Sequence, residues 1–348
     1  MGNYQKTLKE ISSKPKTWLV TGAAGFIGSA LCEQLLRSEQ TVVGLDNFST
    51  GHRKNLSEVQ RLVGPEASKR FSFIEGDICD FQTCKQATKG VDIVLHQAAL
   101  GSVPRSVEFP LASHAANVDG FLNVGMACVE NKVGRLVFAS SSSVYGDNTD
   151  LPKIEHATGK ALSPYAATKQ IDELYAGVLQ KTYGLECVGL RYFNVFGRRQ
   201  DPNGPYAAVI PKWLGQLFKG DNCKIFGDGT NSRDFCYIDN TVQANLLAGL
   251  CNTDGTGQIY NVGCGARTDL NQLFNVLKEH ATSHDSVAAS VIATQEAPRV
   301  GDVPHSQASI DKIKKNLGYE PSHDISSGLK ETVLWYAQAH KISESQAS

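Results

Sequence analysis

The sequence predicts an α/β fold in which a doubly wound parallel sheet carries a second, smaller α/β lobe. Strand-like and helix-like stretches alternate up to residue 194, which is typical of consecutive βαβ units. A glycine-rich turn follows the first of these strands and precedes a helical stretch. From residue 195 onward the alternation gives way to loops with Pro and Gly, interleaved with helices. The change of pattern indicates where the second lobe begins.

The predicted strands follow one another with helical stretches between them. They are KTWLVTG, QTVVGLD, FSFIEGD, VDIVLHQAA, RLVFASSS, LECVGLRYF and CKIF. We therefore expect a polar extension over residues 1–15 and a dinucleotide-binding domain over residues 16–194. Residues 195–340 should form most of the second lobe, with segments that cross back to the first domain, and residues 341–348 a frayed tail.

The composition is that of an ordinary globular protein, with 348 residues, 41% hydrophobic and 20% charged. A formal net charge of −1 gives no general attraction to nucleic acid or to anionic membranes. No apolar run approaches the roughly 18 residues of a membrane span, and the polar start lacks the apolar core of a signal peptide. The nine cysteines lack the close spacing of zinc ligands. We expect buried free thiols, no metal site and a cytoplasmic location.

The turn TGAAGFIG is the first candidate for ligand binding. Gly22, Gly25 and Gly28 lie directly after a strand and at the start of a helix. Glycines there permit a tight turn, a close approach of the backbone to a pyrophosphate, and close packing of helix on strand. Amides at the helix N-terminus then bind the anion. Because the spacing differs from the general G-x-G-x-x-G fingerprint, a plain tight turn is the alternative.

Asp46 strengthens the dinucleotide interpretation. It ends the next predicted strand, 18 residues after Gly28. A carboxylate at this place accepts hydrogen bonds from an adenosine ribose and repels a 2′-phosphate, so we expect NAD rather than NADP. The nearby Arg53 and Lys54 could receive a phosphate and speak for the opposite choice. Asp77, after the third strand, is placed to meet the adenine edge, or else is an ordinary cap.

Four consecutive hydroxyls end the predicted strand RLVFASSS. They are Ser140, Ser141, Ser142 and Ser143. The carboxyl ends of the strands in a parallel sheet border the ligand crevice, and a strand end does not need four hydroxyls for capping. We expect at least one of them to face a ligand. A serine-rich turn is the alternative.

Tyr165 and Lys169 are four residues apart, just after Pro164, in the stretch LSPYAATK. Proline favours the first position of a helix, and residues at this spacing share one helix face. A phenol ordinarily ionises near pH 10. A neighbouring ammonium and a positively charged nicotinamide ring would favour the phenolate and lower the pKa of Tyr165 towards that of a general base. Taken alone this spacing is common by chance; in combination with the turn and the serines it predicts catalysis.

Together these residues resemble the extended short-chain dehydrogenase/reductase family. The resemblance covers about residues 16–340 and includes TGAAGFIG, GLDNFSTG, HQAALGSVPRS, LSPYAATK, LRYFNVFGRRQDP, SRDFCYIDN and RVGD. Within the family the chain is most similar to UDP-N-acetylhexosamine 4-epimerases of bacterial surface polysaccharide pathways. The resemblance implies a Rossmann-type sheet, a smaller lobe for a UDP-sugar, bound NAD and a homodimer. It also implies a catalytic set of Ser141, Tyr165 and Lys169.

The resemblance further implies the residues that bind the two ligands. The implied NAD contacts are Gly22, Gly25, Phe26, Ile27, Gly28, Asp46, Asn47, Ser49, Thr50, Gly51, Asp77, Ile78, Gln97, Ala98, Ala99, Asn117, Tyr165 and Lys169. The implied substrate contacts are Ser102, Ser141, Ser142, Ser143, Tyr165, Asn194, Ala208, Val209, Phe226, Arg233, Arg299, Asp302 and Ser306. In the second lobe the two arginines would bind the diphosphate, Phe226 would stack on uracil, and Asp302 would accept from the ribose hydroxyls.

Two features bear on the sugar. Galactose-type epimerases often carry a bulky Tyr where this chain has Ser306, after His305. A small side chain leaves room for an N-acetyl group, which favours UDP-GlcNAc and UDP-GalNAc. The stretch GSVPRS resembles that of enzymes acting on UDP-N-acetylhexosaminuronates as well, and Arg105 or Ser102 could meet a carboxylate. Epimerisation of these uronates, or of UDP-glucose and UDP-galactose, therefore stays open.

The implied reaction is a reversible C4 epimerisation through a transient 4-keto sugar, without net redox change. A 4,6-dehydratase would need a carboxylate where Ser142 and Ser143 stand. A net oxidoreductase would exchange its cofactor at each turnover. A non-catalytic NAD-binding protein would have no use for Ser141, Tyr165 and Lys169 together. We expect a UDP-sugar as the small-molecule partner, and neither nucleic acid nor membrane.

Overall fold

A computed structural model describes residues 3–204, 206–297 and 303–347. Its first part contains six strands, β1 Thr17–Thr21, β2 Thr41–Asp46, β3 Phe71–Glu75, β4 Ile93–His96, β5 Arg135–Ser141 and β6 Glu186–Tyr192. Eight helices accompany them, α1 Asn3–Ser13, α2 Phe26–Arg37, α3 Arg53–Ser68, α4 Phe81–Ala87, α5 Val103–Glu108, α6 Pro110–His114, α7 Gly120–Glu130 and α8 Pro164–Tyr183. A π-helical turn, Ala115–Asp119, precedes α7, and a 3₁₀ turn, Ser142–Tyr145, follows β5.

The second part has shorter strands and longer loops. Its strands are β7 Asn194–Phe196, β8 Cys223–Phe226, β9 Ser232–Arg233, β10 Phe235–Tyr237, β11 Gln258–Val262, β12 Thr268–Asp269 and β13 Ala293–Glu296. Its helices are α9 Val209–Leu217, α10 Ile238–Leu250, α11 Leu270–Thr282, α12 Asp311–Leu317 and α13 Ile325–Ala347. Two further 3₁₀ turns lie at Thr253–Gly255 and Ser286–Ser290. None of the helices in the described part of the chain is long and apolar enough to cross a membrane.

Seven parallel strands form the main sheet, in the order β3-β2-β1-β4-β5-β6-β11. Helices cover both faces. Along β1, Trp18 and Val20 enter one apolar core while Leu19 enters the other, and all three are fully buried. A strand that is buried on both faces needs apolar residues at consecutive positions. This requirement explains the unbroken apolar run that marked the strand in the sequence, and it confirms the predicted fold class.

Every predicted strand stretch contains a strand, but one of them lies in a different sheet. CKIF is β8, which pairs with β13 in the second lobe. The main sheet takes its seventh strand from β11, which pairs in parallel with β6. β11 was not predicted from the sequence because it is short, begins with Gln258 and has Asn261 within its apolar run. Asn261 is buried, where it accepts from the Tyr145 hydroxyl at 2.6 Å.

Candidate active site

The glycine turn after β1 is built so closely that side chains cannot replace its glycines. Gly22 has a positive φ of 67°. A Cβ added at Gly28 would lie 2.0 Å from the carbonyl oxygen of Gly22. The first turn of α2 therefore packs directly on the preceding loop, as a phosphate-binding helix N-terminus requires. At Gly25 the added atom would lie 3.1 Å from the same oxygen.

Beside this turn lies a cavity of about 360 Å³. The predicted cofactor residues that line it are Gly22, Gly25, Asp46, Asn47, Ser49, Thr50, Asp77, Ile78, Gln97, Ala98 and Ala99. Predicted contacts from four separate loops thus meet in one place. The lining of the cavity includes the carboxylates of Asp46 and Asp77 and, among the described residues, no Lys or Arg, which fits a dinucleotide without a 2′-phosphate.

The two carboxylates of this cavity are held by the backbone. Asp46 accepts from the N–H groups of Ala24 and Phe48, at 2.9 and 2.7 Å. Burial raises the pKa of Asp46, although these bonds oppose the effect. Asp77 accepts from the N–H of Cys79 and from Asn47, at 2.8 and 2.9 Å.

Partial burial disfavours the charged form of Asp77, yet its hydrogen bonds keep the pKa of this carboxyl below its ordinary value. Both side chains are thus fixed in direction before any ligand arrives. A fixed acceptor loses little conformational freedom when a ribose or adenine donor reaches it.

The loop after β4 depends on a buried histidine. His96 is 2% exposed, and its Nδ1 lies 2.8 Å from the Thr21 hydroxyl. That hydroxyl already accepts from the N–H groups of Gln97 and Ala98, at 3.2 Å each. Its own proton therefore goes to Nδ1 of His96, so the imidazole is the neutral Nε2–H tautomer. Burial first, and then the Lys169 ammonium, lowers the pKa of His96 to about 3.

The predicted catalytic residues line a second cavity. Helix α8 begins at Pro164, and the Ser163 hydroxyl caps it by accepting from the N–H of Ala166 at 3.1 Å. This confirms the predicted helix start. Tyr165 and Lys169 face a cavity of about 290 Å³ that Ser141 also lines. The two predicted contacts Phe26 and Ile27 line it from α2.

Ion pairs fix α8 against the sheet. Arg191 of β6 binds Glu173 with two hydrogen bonds of 2.8 Å, and the Ser140 hydroxyl donates to the same carboxylate at 2.5 Å. Ser140 is thereby used in holding the helix. One turn earlier the Lys169 ammonium, 2% exposed, donates to Asp172 at 3.0 Å. The helix thus holds the face that carries Tyr165 and Lys169 near the carboxyl end of β5.

A third cavity, of about 240 Å³, lies in the second lobe. Five predicted substrate residues line it, namely Asn194, Ala208, Val209, Phe226 and Arg233. Arg233 donates to the backbone carbonyls of Ser232 and Pro304, at 3.0 Å each. The cavity thus combines an aromatic wall, a cation and a helix start at α9, which suits a nucleoside diphosphate.

The three cavities form one cleft. Gln97 and Ala99 line both the first and the second of them, and Val195 and Gln200 line both the second and the third. A molecule in the middle cavity would therefore contact ligands on either side. A larger cavity, of about 1050 Å³, lies elsewhere, among α1, α10 and α12, and none of the predicted site residues lines it.

Other predicted site residues do not line the three cavities or lie outside the described residues. Arg299 and Asp302 lie outside the described residues. Asn117 is buried and binds the N–H of Leu100 and the Thr168 hydroxyl, at 2.7 and 3.1 Å, so its contact with NAD stays a prediction. Gly51 packs on Ala24 and Asp46 at the edge of the first cavity.

The remaining predicted substrate residues are hydroxyls near turns. Ser102, with a positive φ of 101°, caps α5. The hydroxyl of Ser143 is buried with no hydrogen-bond partner among the described residues, whereas the hydroxyl of Ser141 accepts from the N–H of Ser143 at 3.1 Å. The N–H of Ser306 donates to the carbonyl of Ser232 at 3.0 Å. For all of these, substrate contact stays a prediction, as it does for Ser142.

Several residues of the cleft were not predicted. Cys79 is exposed and lines the first cavity, which corrects the expectation that all the thiols are buried. Gln200 and Lys224 line the third. Asp172 and Glu173 had a signal in their spacing from Lys169, but carboxylates on a helix more often face solvent.

Comparison with known proteins agrees with this geometry. A profile of the NAD dependent epimerase/dehydratase family matches residues 18–263. The chain is 36% identical to the UDP-glucose 4-epimerase of Mycolicibacterium smegmatis over 91% of this chain and 97% of that protein.

Two solved structures extend the likeness to the fold. The UDP-N-acetylglucosamine 4-epimerase of Methanobrevibacter ruminantium has a TM-score of 0.85 and 36% identity, over 94% of this chain and 99% of that one. The UDP-glucuronic acid 4-epimerase of Bacillus cereus, solved with UDP-glucuronic acid and NAD, has a TM-score of 0.83 and 30% identity, over 93% and 99%.

Proposed function

The chain belongs to the NAD dependent epimerase/dehydratase family, and we propose that it interconverts UDP-N-acetylglucosamine and UDP-N-acetylgalactosamine by C4 epimerisation. One observation carries the proposal: Tyr165, Lys169 and Ser141 line the middle of a cleft that runs from a dinucleotide cavity to a nucleoside diphosphate cavity. Relatives that act on UDP-sugars at C4 support the reaction class.

The chain's own residues account for the proton transfers. Bound NAD, held in the first cavity by the glycine turn and Asp46, would supply the hydride acceptor and donor for C4 of the sugar. Tyr165, as phenolate, removes the proton from the C4 hydroxyl, and Ser141 orients that hydroxyl. Lys169 stabilises the phenolate electrostatically. Tyr165 later returns the proton to the new C4 oxygen.

Binding energy on the nucleotide leaves the sugar free to turn. Phe226 and Arg233 would hold UDP in the second lobe, where Arg299 and Asp302 are also proposed to bind it. The transient 4-keto sugar can then present its other face without leaving the enzyme. A binding site that held the sugar rigidly would stabilise one epimer and slow its conversion.

The preference for N-acetylated sugars rests on Ser306. Its N–H donates to the carbonyl of Ser232, and the next residue, Arg233, lines the third cavity, so the backbone of Ser306 lies close to the proposed UDP site. A short side chain there leaves volume for the substituent on C2.

Uronates are the second candidate because of Arg105. Its guanidinium carbon lies 4.9 Å from the ring centroid of Tyr206, the residue before Ala207, which lines the third cavity. A cation at this position suits a carboxylate on C6.

The direct test is to incubate the purified protein with UDP-GlcNAc, its C6 uronate or UDP-glucose, and to quantify the C4 epimers by NMR. We expect the fastest conversion with UDP-GlcNAc. Faster conversion of the uronate or of UDP-glucose would replace the proposed substrate, and no conversion of any of the three would overturn the reaction.

A tyrosine pair on α8 supplies the matched variants. Tyr165→Phe should lower the turnover at least about 10²-fold because the general base is lost, while NAD stays bound. Tyr183→Phe, at the exposed end of the same helix, should leave the turnover unchanged.

The resemblance implies a homodimer formed through the helix that carries Tyr165 and the helix near residues 114–131; because much of α7 is buried, we propose a homodimer through α8 and α6 instead. Leu111 is 85% exposed and Leu174 72% exposed, and Val178 adds to the same helix face of α8. Large apolar side chains gathered on packed helices are typical of a protein interface. A second copy of the chain would bury them.

A further inference from the structure

Lys169 is one half of an ion pair that is almost entirely out of water. Its ammonium is 2% exposed, and the Asp172 carboxylate is fully buried, with Nζ and Oδ2 3.0 Å apart. The other carboxylate oxygen, Oδ1, is buried without a hydrogen-bond partner among the described residues. Replacing a buried pair of this kind by apolar side chains is often neutral or stabilising. Stability alone therefore does not explain why the pair is present.

The pair lies where charge matters most for the proposed reaction. Tyr165 is one helical turn from Lys169, and both line the middle cavity. Burial opposes the ammonium, but Asp172, Tyr165 and Glu173 favour it, and the pKa of Lys169 is raised overall. Burial raises the pKa of Asp172 to about 6, against the effect of Lys169.

The other titratable groups around the pair either have an ion-pair partner or are neutral. Glu173 is bound by Arg191 of β6, and His96 of β4 is neutral for the reasons given above. Asp172 is thus the carboxylate that directly compensates Lys169.

We propose that Asp172 is a positioning residue, which keeps Lys169 protonated and aimed along α8, and which partly cancels the charge that Lys169 presents to Tyr165. The inference rests on the proposed function for its catalytic consequence, but its electrostatic part does not. Among the described residues the ammonium of Lys169 donates one hydrogen bond, to Asp172, so its other N–H groups are available to a ribose hydroxyl and to the Tyr165 oxygen.

The sign of the effect on Tyr165 follows from Coulomb's law. Removing a negative charge stabilises every nearby anion and destabilises every nearby cation. In an Asp172→Asn variant Tyr165 should therefore lose its proton at lower pH throughout the range in which Lys169 stays protonated, and Lys169 in turn should lose its own proton at a lower pH than in the wild type. Asp172 follows Tyr165 by seven residues on α8, a rise of about 10 Å, and a unit charge at about that separation changes an ionisation midpoint by about one pH unit.

The test uses the absorbance of the phenolate at about 295 nm. The difference between each protein and its Tyr165→Phe counterpart isolates this one tyrosine among eleven. We expect the midpoint in Asp172→Asn to lie about one pH unit below that of the wild type. Asp172→Glu, which keeps the charge, should restore the wild-type midpoint, and the exposed Asp221→Asn should leave it unchanged. If Asp172→Asn does not fold, Asp172→Ser takes its place.

Enzyme kinetics provide the second readout. The acid limb of the kcat profile should move to lower pH together with the spectroscopic midpoint, and NAD affinity should fall earlier at high pH as Lys169 loses its proton. An unchanged Tyr165 midpoint in Asp172→Asn would overturn the inference. A shifted midpoint in a protein that epimerises no UDP-sugar would keep the inference and overturn the proposed function instead.

Discussion

His96 should lower the free energy of unfolding of the protein at acid pH. An unfolded histidine binds its proton near pH 6.5, whereas the pKa of buried His96 lies at about 3. Between these values the unfolded chain holds the extra proton, so the free energy of unfolding falls as the pH falls. At about pH 5 the loss relative to pH 7 is about 2 kcal/mol, from about 1.4 kcal/mol per pH unit below 6.5.

The perturbation is His96→Asn, which keeps a polar acceptor for the Thr21 hydroxyl but cannot be protonated. Both proteins are unfolded with urea at pH 7 and at pH 5. The wild type should lose about 2 kcal/mol more than the variant between the two conditions. The comparison uses the change within each protein, so any cavity left by the smaller side chain cancels.

Two buried carboxylates stabilise the protein as the pH falls, but they do so equally in the wild type and in His96→Asn. Burial raises the pKa of Asp172 and of Asp234 to about 6. These groups therefore add stability as the pH falls from about 6 towards 4, in the wild type and in the variant alike. An equal change of unfolding free energy in both proteins would refute the neutral, buried state of His96.

Three further predictions concern other parts of the cleft and the interface. Gly28→Ala should lower NAD affinity and destabilise the protein by about 1–3 kcal/mol, because the new methyl group overlaps a backbone carbonyl. Gly177→Ala, where the new methyl group meets open space, should have neither effect. Calorimetric NAD titration measures the affinity and urea unfolding measures the stability of both variants. Leu174→Asp should give a monomer in sedimentation analysis, and the half-exposed Leu334→Asp should leave the proposed dimer intact. Asp234→Asn should raise KM for the UDP-sugar without weakening NAD binding, since Asp234 accepts from three backbone N–H groups beside the proposed diphosphate site, and the NH₂ group that replaces one of its oxygens leaves one or two of them without an acceptor; steady-state kinetics with a parallel NAD titration would contradict this if KM stayed the same.

Structural features that depend on a single short stretch of the chain could be predicted from the sequence. The turn at Gly22–Gly28, the cap at Ser163 and the helix start at Pro164 depend on neighbouring residues, so their spacing alone indicates the structure. The structure then brings the predicted NAD residues from separate loops into one cavity, as a parallel sheet does with the carboxyl ends of its strands.

Long-range pairings were harder to predict. β11 reaches the main sheet across more than sixty residues from β6, and its polar positions give no strand signal. Asp172 had a readable spacing from Lys169, but its burial depends on how α8 packs on the sheet. The free-energy cost of a charged residue on a helix depends on whether that packing removes it from water.

Charge balance connects these observations to the proposed cycle. Lys169 and Asp172 are neutral as a pair, and a second cation at His96 is excluded by its burial. A phenolate at Tyr165 would then add a negative charge that Lys169 compensates only in part, because Asp172 cancels some of the charge of Lys169, and a positive ring beside the phenolate would compensate the rest. We therefore expect Tyr165 to ionise together with binding of the oxidised cofactor. When the phenolate takes up the C4 proton as hydride leaves C4, the negative charge of Tyr165 and the positive charge of the nicotinamide ring disappear together. The site is therefore neutral before and after the step. An Asp172→Asn protein lacks this balance, so its Tyr165 should ionise in the absence of NAD⁺, and its phenolate absorbance should respond less to added cofactor than that of the wild type.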